Sequence, residues 1–427
     1  MTERAGTKYK EEFCMMRSMF SGVTGLRNHQ IKMDVIGNNI ANVNTVGFKK
    51  SRVIFQDTLS QTMRGASSPQ GNRAGTNPMQ VGLGMTIASI DTIHSPTSAE
   101  STGNMTDMAI EGDGYFILKG DGIDQYYTRA GNFGFDEHGN LNSNGLMVLG
   151  WQDKENYMVP NDKSPQSIDT IQIRKGMMIP AEATTEVKFD KNLNAETPVD
   201  ESYSLPFKVY DSLGCAHNLS IVLTKTAANE WEYRITHADV TETDLGGNTG
   251  TISFDGSGSG KYDSATGGPL TLNLSNGAAN ISLTIDFSNV TQYAKETNID
   301  MTYQNGYAAG TLTGITTDTS GVITGIFDNG HSRQLAQVAI ANFDNPAGLI
   351  KAGRNTYRYS NNSGEPQIGE SGTGGRGTIA PGYLEMSNVD LSEEFTQMII
   401  TQRGFQANSR IITASDEMLQ ELVNIKR

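Results

Sequence analysis

The sequence predicts a mixed, mainly β protein in which two terminal α-helices form a coiled-coil domain and nested β-rich domains are inserted between them. Three observations carry this. Helical periodicity is confined to two long segments, one near each end. Between them, short strand-like runs alternate with tight-turn residues. Gly contributes 47 residues beside only 12 Pro, and aromatic content is 7%, a balance that favours turn-rich β structure over a helical enzyme.

At 427 residues the chain exceeds what one hydrophobic core usually serves, so several domains are expected. A formal charge of −14, from 47 acidic and 33 basic residues, repels nucleic-acid backbones and anionic membrane surfaces. Neither nucleic acid nor membrane insertion is therefore expected. No apolar run approaches the roughly 18 residues of a membrane helix, and no apolar signal core stands at the N-terminus. The two cysteines, Cys14 and Cys215, form neither a disulfide framework nor a metal-spacing pattern.

In chain order, residues 1–14 are polar and aperiodic and read as a leader or disordered prefix. Lys10-Glu11-Glu12 is encodable as a purine-rich ribosome-binding stretch, which places the start at Met15 or Met16. From Met16, two seven-residue series, Met16, Val23, Gln30, Gly37 and Met19, Leu26, Met33, Ile40, form one helical stripe, and residues 15–46 are assigned to the coiled-coil domain. The helix is expected to stop between Asn42 and Gly47. Residues 47–104, rejoined by 377–383, form a connecting segment, with an extended Gly/Ser/Pro/Asn loop over Gly65 to Met79. Residues 105–179 and 304–376 read as a middle β domain of strands and tight turns. Residues 180–303 read as an outer inserted β domain, rich in Thr, Asn and Ser, with an exposed loop or hairpin tip over Asp244 to Pro269.

The last helix, within residues 384–427, has Asp390 as its N-cap, Glu393 three residues on, and Glu394 in the first turn. Leu391, Met398, Phe405, Ile412 and Leu419 recur every seven residues. Their companion series, Phe395, Gln402, Ser409, Asp416 and Val423, is polar in the middle. The stripe therefore pairs only in part with Met19, Leu26, Met33 and Ile40, leaving Ile399, Ile411 and Leu422 for other subunits or for a larger bundle. Isolated helices with such stripes are marginal, so order is expected to accompany assembly.

Catalytic readings fail on detail. Gly256-Ser257-Gly258-Ser259-Gly260-Lys261 lacks the leading Gly and closing Ser/Thr of a phosphate loop. Asp136 to Asn140 lacks the closing Glu of a calcium loop. The six His residues have no ligand-like pairing. No enzyme, cofactor or metal is expected.

The run Gly37-Asn38-Asn39-Ile40-Ala41-Asn42-Val43-Asn44-Thr45-Val46-Gly47-Phe48-Lys49 resembles the N-terminal signature of the bacterial flagellar rod and hook axial family. Leu384-Glu385-Met386-Ser387-Asn388-Val389-Asp390-Leu391, with Gln402-Arg403-Gly404-Phe405, resembles its C-terminal signature. The resemblance extends from about Met16 to Arg427 and marks Asn38, Asn39, Asn42, Gly47, Phe48, Asn388, Asp390, Gln402 and Arg403 as motif positions. Val209 to Gly214 and the inserted 180–303 section are similar to the hook branch.

This resemblance implies a structural subunit that polymerises into a curved, flexible tube coupling the basal-body rod to the filament. It implies export without a cleaved signal to the extracellular flagellum. The implied partners are other copies of the chain, the distal rod protein, the hook cap, the hook–filament junction proteins and the export apparatus. Phe20 is followed four residues later by Thr24, so an export motif of the early-substrate kind would use another pair, such as Met19 and Val23. The loop over 65–79 resembles a stretch of the distal rod protein associated with straightness. Cys215, near His217, is the candidate for an intersubunit Cys–Lys cross-link of the kind found in spirochete hooks, the alternative being a small residue in a β-turn. Two rival readings are a distal rod subunit and, in another class, an exported adhesin or carbohydrate-binding β module.

Overall fold

The computed structural model describes residues 2–69, 74–120, 122, 124–237, 245–256, 258–274 and 277–424, with side chains from Ser18 onward and without that of Leu422. Two long helices bracket the chain, α1 (Thr2–Ala41) and α2 (Leu391–Asn424). The start of α1 differs from the expected one at Met16, because the helix runs on through residues 2–14. Glu, Lys and Arg, good helix formers, supply six of those thirteen residues, and extending a formed helix needs no new nucleation. Its end falls as expected: Asn42 N–H reaches back to the Asn39 carbonyl at 3.1 Å, and Gly47 takes φ +66°. The side chains of Met16 and Leu422 lie outside the described residues.

The chain divides into two compact units, one of residues 1–173, 317–323 and 334–427, the other of residues 174–316 and 324–333. In the first unit, β1 (Ser51–Asp57) pairs antiparallel with β4 (Met85–Thr92). Between them β2 (Ser60–Arg64) and β3 (Met79–Gly82) form an antiparallel hairpin, and the described residues of the Gly/Ser/Pro/Asn loop form its connection, tied by a Ser67–Thr76 bridge. The sequence signal for strands is weak there because all residues of β2 and β3 are exposed, so no buried alternation marks them.

The β core of this unit is a sheet in which Leu146–Trp151 pairs with Tyr115–Lys119, which pairs with Gln125–Thr128, and that with Thr356–Arg358. Tyr115, Ile117, Tyr127, Leu149, Trp151, Phe343 and Tyr357 form its buried cluster. The returning chain is tied in by two short pairings, Thr378–Pro381 on Met108–Glu111 and Tyr383–Glu385 on Ala99–Ser101.

The second unit is a β-sandwich. One sheet runs Ser202–Tyr210, Ala216–Ala227, Glu230–His237, Thr249–Phe254, Tyr262–Thr266; the other contains Glu186–Asn194, paired in parallel with Ile281–Tyr293 and antiparallel with Asp300–Gln304. Period-two alternation buries Leu219, Ile221 and Leu223 of one sheet against Val187, Phe189 and Val290 of the other in a single cluster, the packing expected of two half-wet sheets. Phe189 stacks on Phe287 with centroids 5.5 Å apart. The stretch expected as an exposed tip over 244–269 holds two paired strands with Ile252 and Phe254 buried. The described residues of the 256–261 run form the turn between them, with no phosphate-loop geometry.

Candidate assembly site at the chain termini

α1 and α2 lie antiparallel, and they approach most closely where one partner is glycine or a polar side chain. Ser18 Oγ is 3.3 Å from Ser415 Oγ. A Cβ on Gly22 would lie 3.3 Å from Ile412 Cγ1, one on Gly25 would lie 2.6 Å from Asn408 Nδ2, and one on Gly404 would lie 2.8 Å from His29 Nε2. Further along, Lys32 Nζ donates to Gln397 Oε1 at 3.0 Å and Asn39 Nδ2 to Glu394 Oε2 at 3.2 Å. The glycines let the helix axes approach, and the polar rungs define register where an all-apolar seam would allow sliding.

The packed face is therefore rotated from the one that heptad counting selects. Met19, Leu26, Met33 and Ile40 flank the seam half-buried, as do Met398, Phe405, Ile412 and Leu419. The second seam of α2 is Glu394, Thr401, Asn408 and Ser415, not the companion series of Phe395, Gln402, Ser409, Asp416 and Val423. Counting apolar residues finds the greasiest stripe, whereas here glycine and small polar side chains permit the closest approach. Displaced from the seam, Val23, Leu391, Phe395 (50% exposed), Ile399 (56%), Ile400 and Met418 face outward, and so does Phe20, whereas Ile411, expected to be left for other subunits, borders the seam at Gly22 while staying 44% exposed.

Where the helices meet the connecting segment, the motif residues form a clasp. Asn39, 1% exposed, bonds both backbone groups of Ser51, donating to its carbonyl at 2.9 Å and accepting from its N–H at 3.0 Å. Asn42 Nδ2 donates to the Asn38 carbonyl at 2.8 Å and finishes the helix. Gly47 must be glycine: its φ is positive and a Cβ would lie 2.7 Å from Ala130 N. Its N–H donates to the Glu385 carbonyl at 2.8 Å, and buried Phe48 lies under Lys351. Asn388 accepts from Lys50 N–H at 2.6 Å and donates to the Ile93 carbonyl at 2.8 Å. Asp390 caps α2, accepting from Ser392 N–H at 2.8 Å. Glu393 does not complete a capping box; it pairs with Lys50 at 2.8 Å. Gln402 and Arg403 are exposed on α2.

At the centre of the clasp lies a fully buried ion cluster. Lys49 Nζ is 2.6 Å from Glu385 Oε1 and donates to the Ser95 carbonyl at 2.7 Å, and Arg129 Nε is 3.5 Å from Glu385 Oε2. The three side chains are at most 2% exposed. Burial holds the Lys49 ammonium below its usual range against the opposing pull of Glu385. Lys49 and Glu385 both sit inside the signature runs, but sequence reading assigns charges to solvated surfaces, and nothing in the sequence joins either to Arg129.

His94 borders this cluster, with Nδ1 2.7 Å from the Tyr115 hydroxyl and its ring against Tyr357 at 5.4 Å. Burial, helped by Lys49, Arg129 and Lys351, pushes its pKa down to about 4. Glu385 is the acidic member of the cluster, and Tyr115 and Tyr357 stay neutral because burial raises them. Between pH 6.5 and 4 the unfolded chain binds a proton here that the folded chain does not, so stability falls on acidification. The loss attributable to His94 is on the order of 3 kcal/mol. Urea unfolding of wild type and His94→Asn at pH 7 and pH 4.5 checks this: the wild type should lose more stability, and equal losses would contradict it.

In the second unit, Cys215 is exposed in the turn that follows Val209-Tyr210, and its N–H donates to Asp211 Oδ1 at 2.8 Å. His217 bonds Asp211, Nε2 to Oδ2 at 3.2 Å. Among the described residues no group of three or more metal-ligating side chains forms a metal site, and no helix is long and apolar enough to cross a membrane.

Four stretches of the chain match known protein families. Residues 19–49 match the flagella basal body rod protein family, 109–192 the flagellar hook protein FlgE/F/G D1 domain, 178–307 the flagellar basal body protein FlaE D2 domain, and 380–425 the flagellar basal body rod FlgEFG protein C-terminal family. The flagellar hook protein FlgE of Borreliella burgdorferi is 40% identical over 96% of this chain and 100% of its own length, and that of Treponema pallidum 40% identical over 97% and 100%. The flagellar basal-body rod protein FlgG of Bacillus subtilis is 36% identical over 97% and 100%. The crystal structure of Helicobacter pylori flagellar hook protein FlgE2 shares the fold, with a TM-score of 0.52 at 16% identity over 68% of this chain and 100% of that one.

Proposed function

The chain belongs to the flagellar rod and hook FlgE/F/G family and is a structural hook subunit of the extracellular flagellum, without enzymatic activity; from that premise we propose how its ends build the polymer. The observation that carries the proposal is the rotated seam. The helices approach most closely at small and polar residues, and the apolar side chains Phe20, Val23, Phe395 and Ile399 remain outside. Several large apolar side chains turned outward on a helix pair mark an association surface. Identical subunits meeting through unlike faces give an open helical tube. In this reading Met19, Leu26, Met33, Ile40, Leu391, Met398, Phe405, Ile412 and Leu419 belong to the inner wall of that tube.

The clasp of Asn39, Gly47, Phe48, Asn388 and Asp390, locked by Lys49, Glu385 and Arg129, passes load between the terminal helices and the β core of their unit. The tube so formed is curved and flexible and transmits torque from rod to filament. Its ends contact the distal rod, cap and junction proteins, and the subunit leaves the cell through the flagellar export apparatus without a cleaved signal. Cells deprived of this chain should carry basal bodies that stop at the rod when viewed by electron microscopy; hooks of ordinary length in such cells would contradict the proposal. The 36% identity to a basal-body rod protein favours a distal rod subunit as the second reading, which predicts a straight polymer.

Cys215 is the proposed donor of an intersubunit cross-link, supported by its exposure on a turn ordered by Asp211. Loss of the Cα proton and of the thiol as hydrogen sulfide leaves a dehydroalanine, and a neighbour's Lys Nζ adds across its double bond. Denaturing gels of native polymer should show a ladder that Cys215→Ala collapses to monomer. Complete dissolution of the wild-type polymer to monomer rules the cross-link out.

A further inference from the structure

We propose that Arg354 and the recess beside it form an ionic docking point for a carboxylate of a second copy of this chain. The recess, about 650 Å³, is lined by Asn42, Thr45, Asn144, Arg354 and Asn355. Arg354 and Asn355 occupy the turn between strands Ile350–Gly353 and Thr356–Arg358 with φ +51° and +58°, and Asn144 begins the facing turn at φ +52°. Asn is at home in this left-handed region and Arg is not. A guanidinium is thus held at a position where the backbone prefers Asn or Gly, and strain of this kind tends to mark function.

The neighbouring groups do not use the charge. Asn42 Nδ2 is bonded to Asn38, Asn42 Oδ1 accepts from Thr45, and Asn355 Nδ2 donates to the Val46 carbonyl at 2.9 Å. Arg354 Nη1 reaches only the Asn144 carbonyl, at 3.5 Å, the outer limit of a hydrogen bond. Arg354 is exposed, and no described carboxylate lies within ion-pair distance of it. What fits an exposed fork of N–H donors in a neutral recess is a carboxylate. A second copy supplies it, because a chain with 47 acidic against 33 basic residues presents acid-rich surface to its neighbours. One guanidinium on so acidic a chain holds no nucleic acid. This inference rests on the polymer reading above.

The test compares the polymerisation threshold and thermal midpoint of wild type, Arg354→Asn and Arg354→Glu at low and high salt. Arg354→Asn should unfold at or above the wild-type midpoint yet polymerise only at a several-fold higher concentration. Arg354→Glu should raise the threshold further, and added salt should raise the wild-type threshold more than that of Arg354→Asn. An Arg354→Asn threshold equal to that of polymerising wild type overturns the docking point and leaves the polymer reading standing. An Arg354→Asn midpoint below wild type also overturns it, by making Arg354 a folding residue. Failure of the wild type to polymerise overturns both.

Discussion

Glu385→Gln should destabilise the first unit by about 3–5 kcal/mol, because it strands two buried cations. In the native chain Glu385 answers Lys49 at 2.6 Å and Arg129 at 3.5 Å. The amide keeps the shape and removes the charge that both cations require. Arg129 retains the Gly112 carbonyl at 2.7 Å and Lys49 the Ser95 carbonyl at 2.7 Å, so the site loses its ion pairs and not its hydrogen bonds. Lys49→Met combined with Glu385→Leu should recover part of the loss, since replacing a buried pair by apolar side chains of similar volume is often close to neutral. Urea unfolding of the three proteins checks this. A Glu385→Gln variant as stable as wild type would show that the cluster does not hold the clasp.

Phe395→Asp together with Ile399→Asp should abolish polymerisation without unfolding the monomer. Both side chains point away from the α1–α2 seam and are about half exposed, so in one chain the carboxylates meet water. In the polymer the same positions are apolar contacts, each contributing about 1 kcal/mol or more, and a carboxylate forced into such a contact carries a desolvation penalty of several kcal/mol. A combined change of at least about 4 kcal/mol raises the polymerisation threshold by about a thousand-fold. Sedimentation measures the threshold and circular dichroism the monomer fold. Normal polymerisation of the double variant would place the subunit contact elsewhere.

The residues made some of this legible and concealed the rest for identifiable reasons. The two helices, their meeting and the Asp390 cap follow from periodicity and cap chemistry, which are local. Strands such as Glu186–Asn194 and Ala216–Ala227 follow from alternation because one face of each is buried. The β2–β3 hairpin was hidden by having no buried face. The face of contact between α1 and α2 was hidden because the heptad rule weights apolar side chains, and Gly22, Gly25, Gly404 and Asn408 carry no such weight. The Lys49–Glu385–Arg129 cluster joins residues far apart in the chain, and no local pattern encodes that. The motif runs pointed to the right place without saying which side chains are buried in it.

The central claim is that the terminal helix pair is an interface only the polymer completes. Amide hydrogen exchange along residues 18–41 and 391–424, in monomer and in polymer, tests it most directly. A seam of glycines and polar rungs buries too little apolar surface to protect those amides well in the monomer, so they should exchange fast there and be strongly protected in the polymer. The Tyr115–Lys119 and Leu146–Trp151 strands should be protected in both. Equal, strong protection of the helices in monomer and polymer would contradict the account.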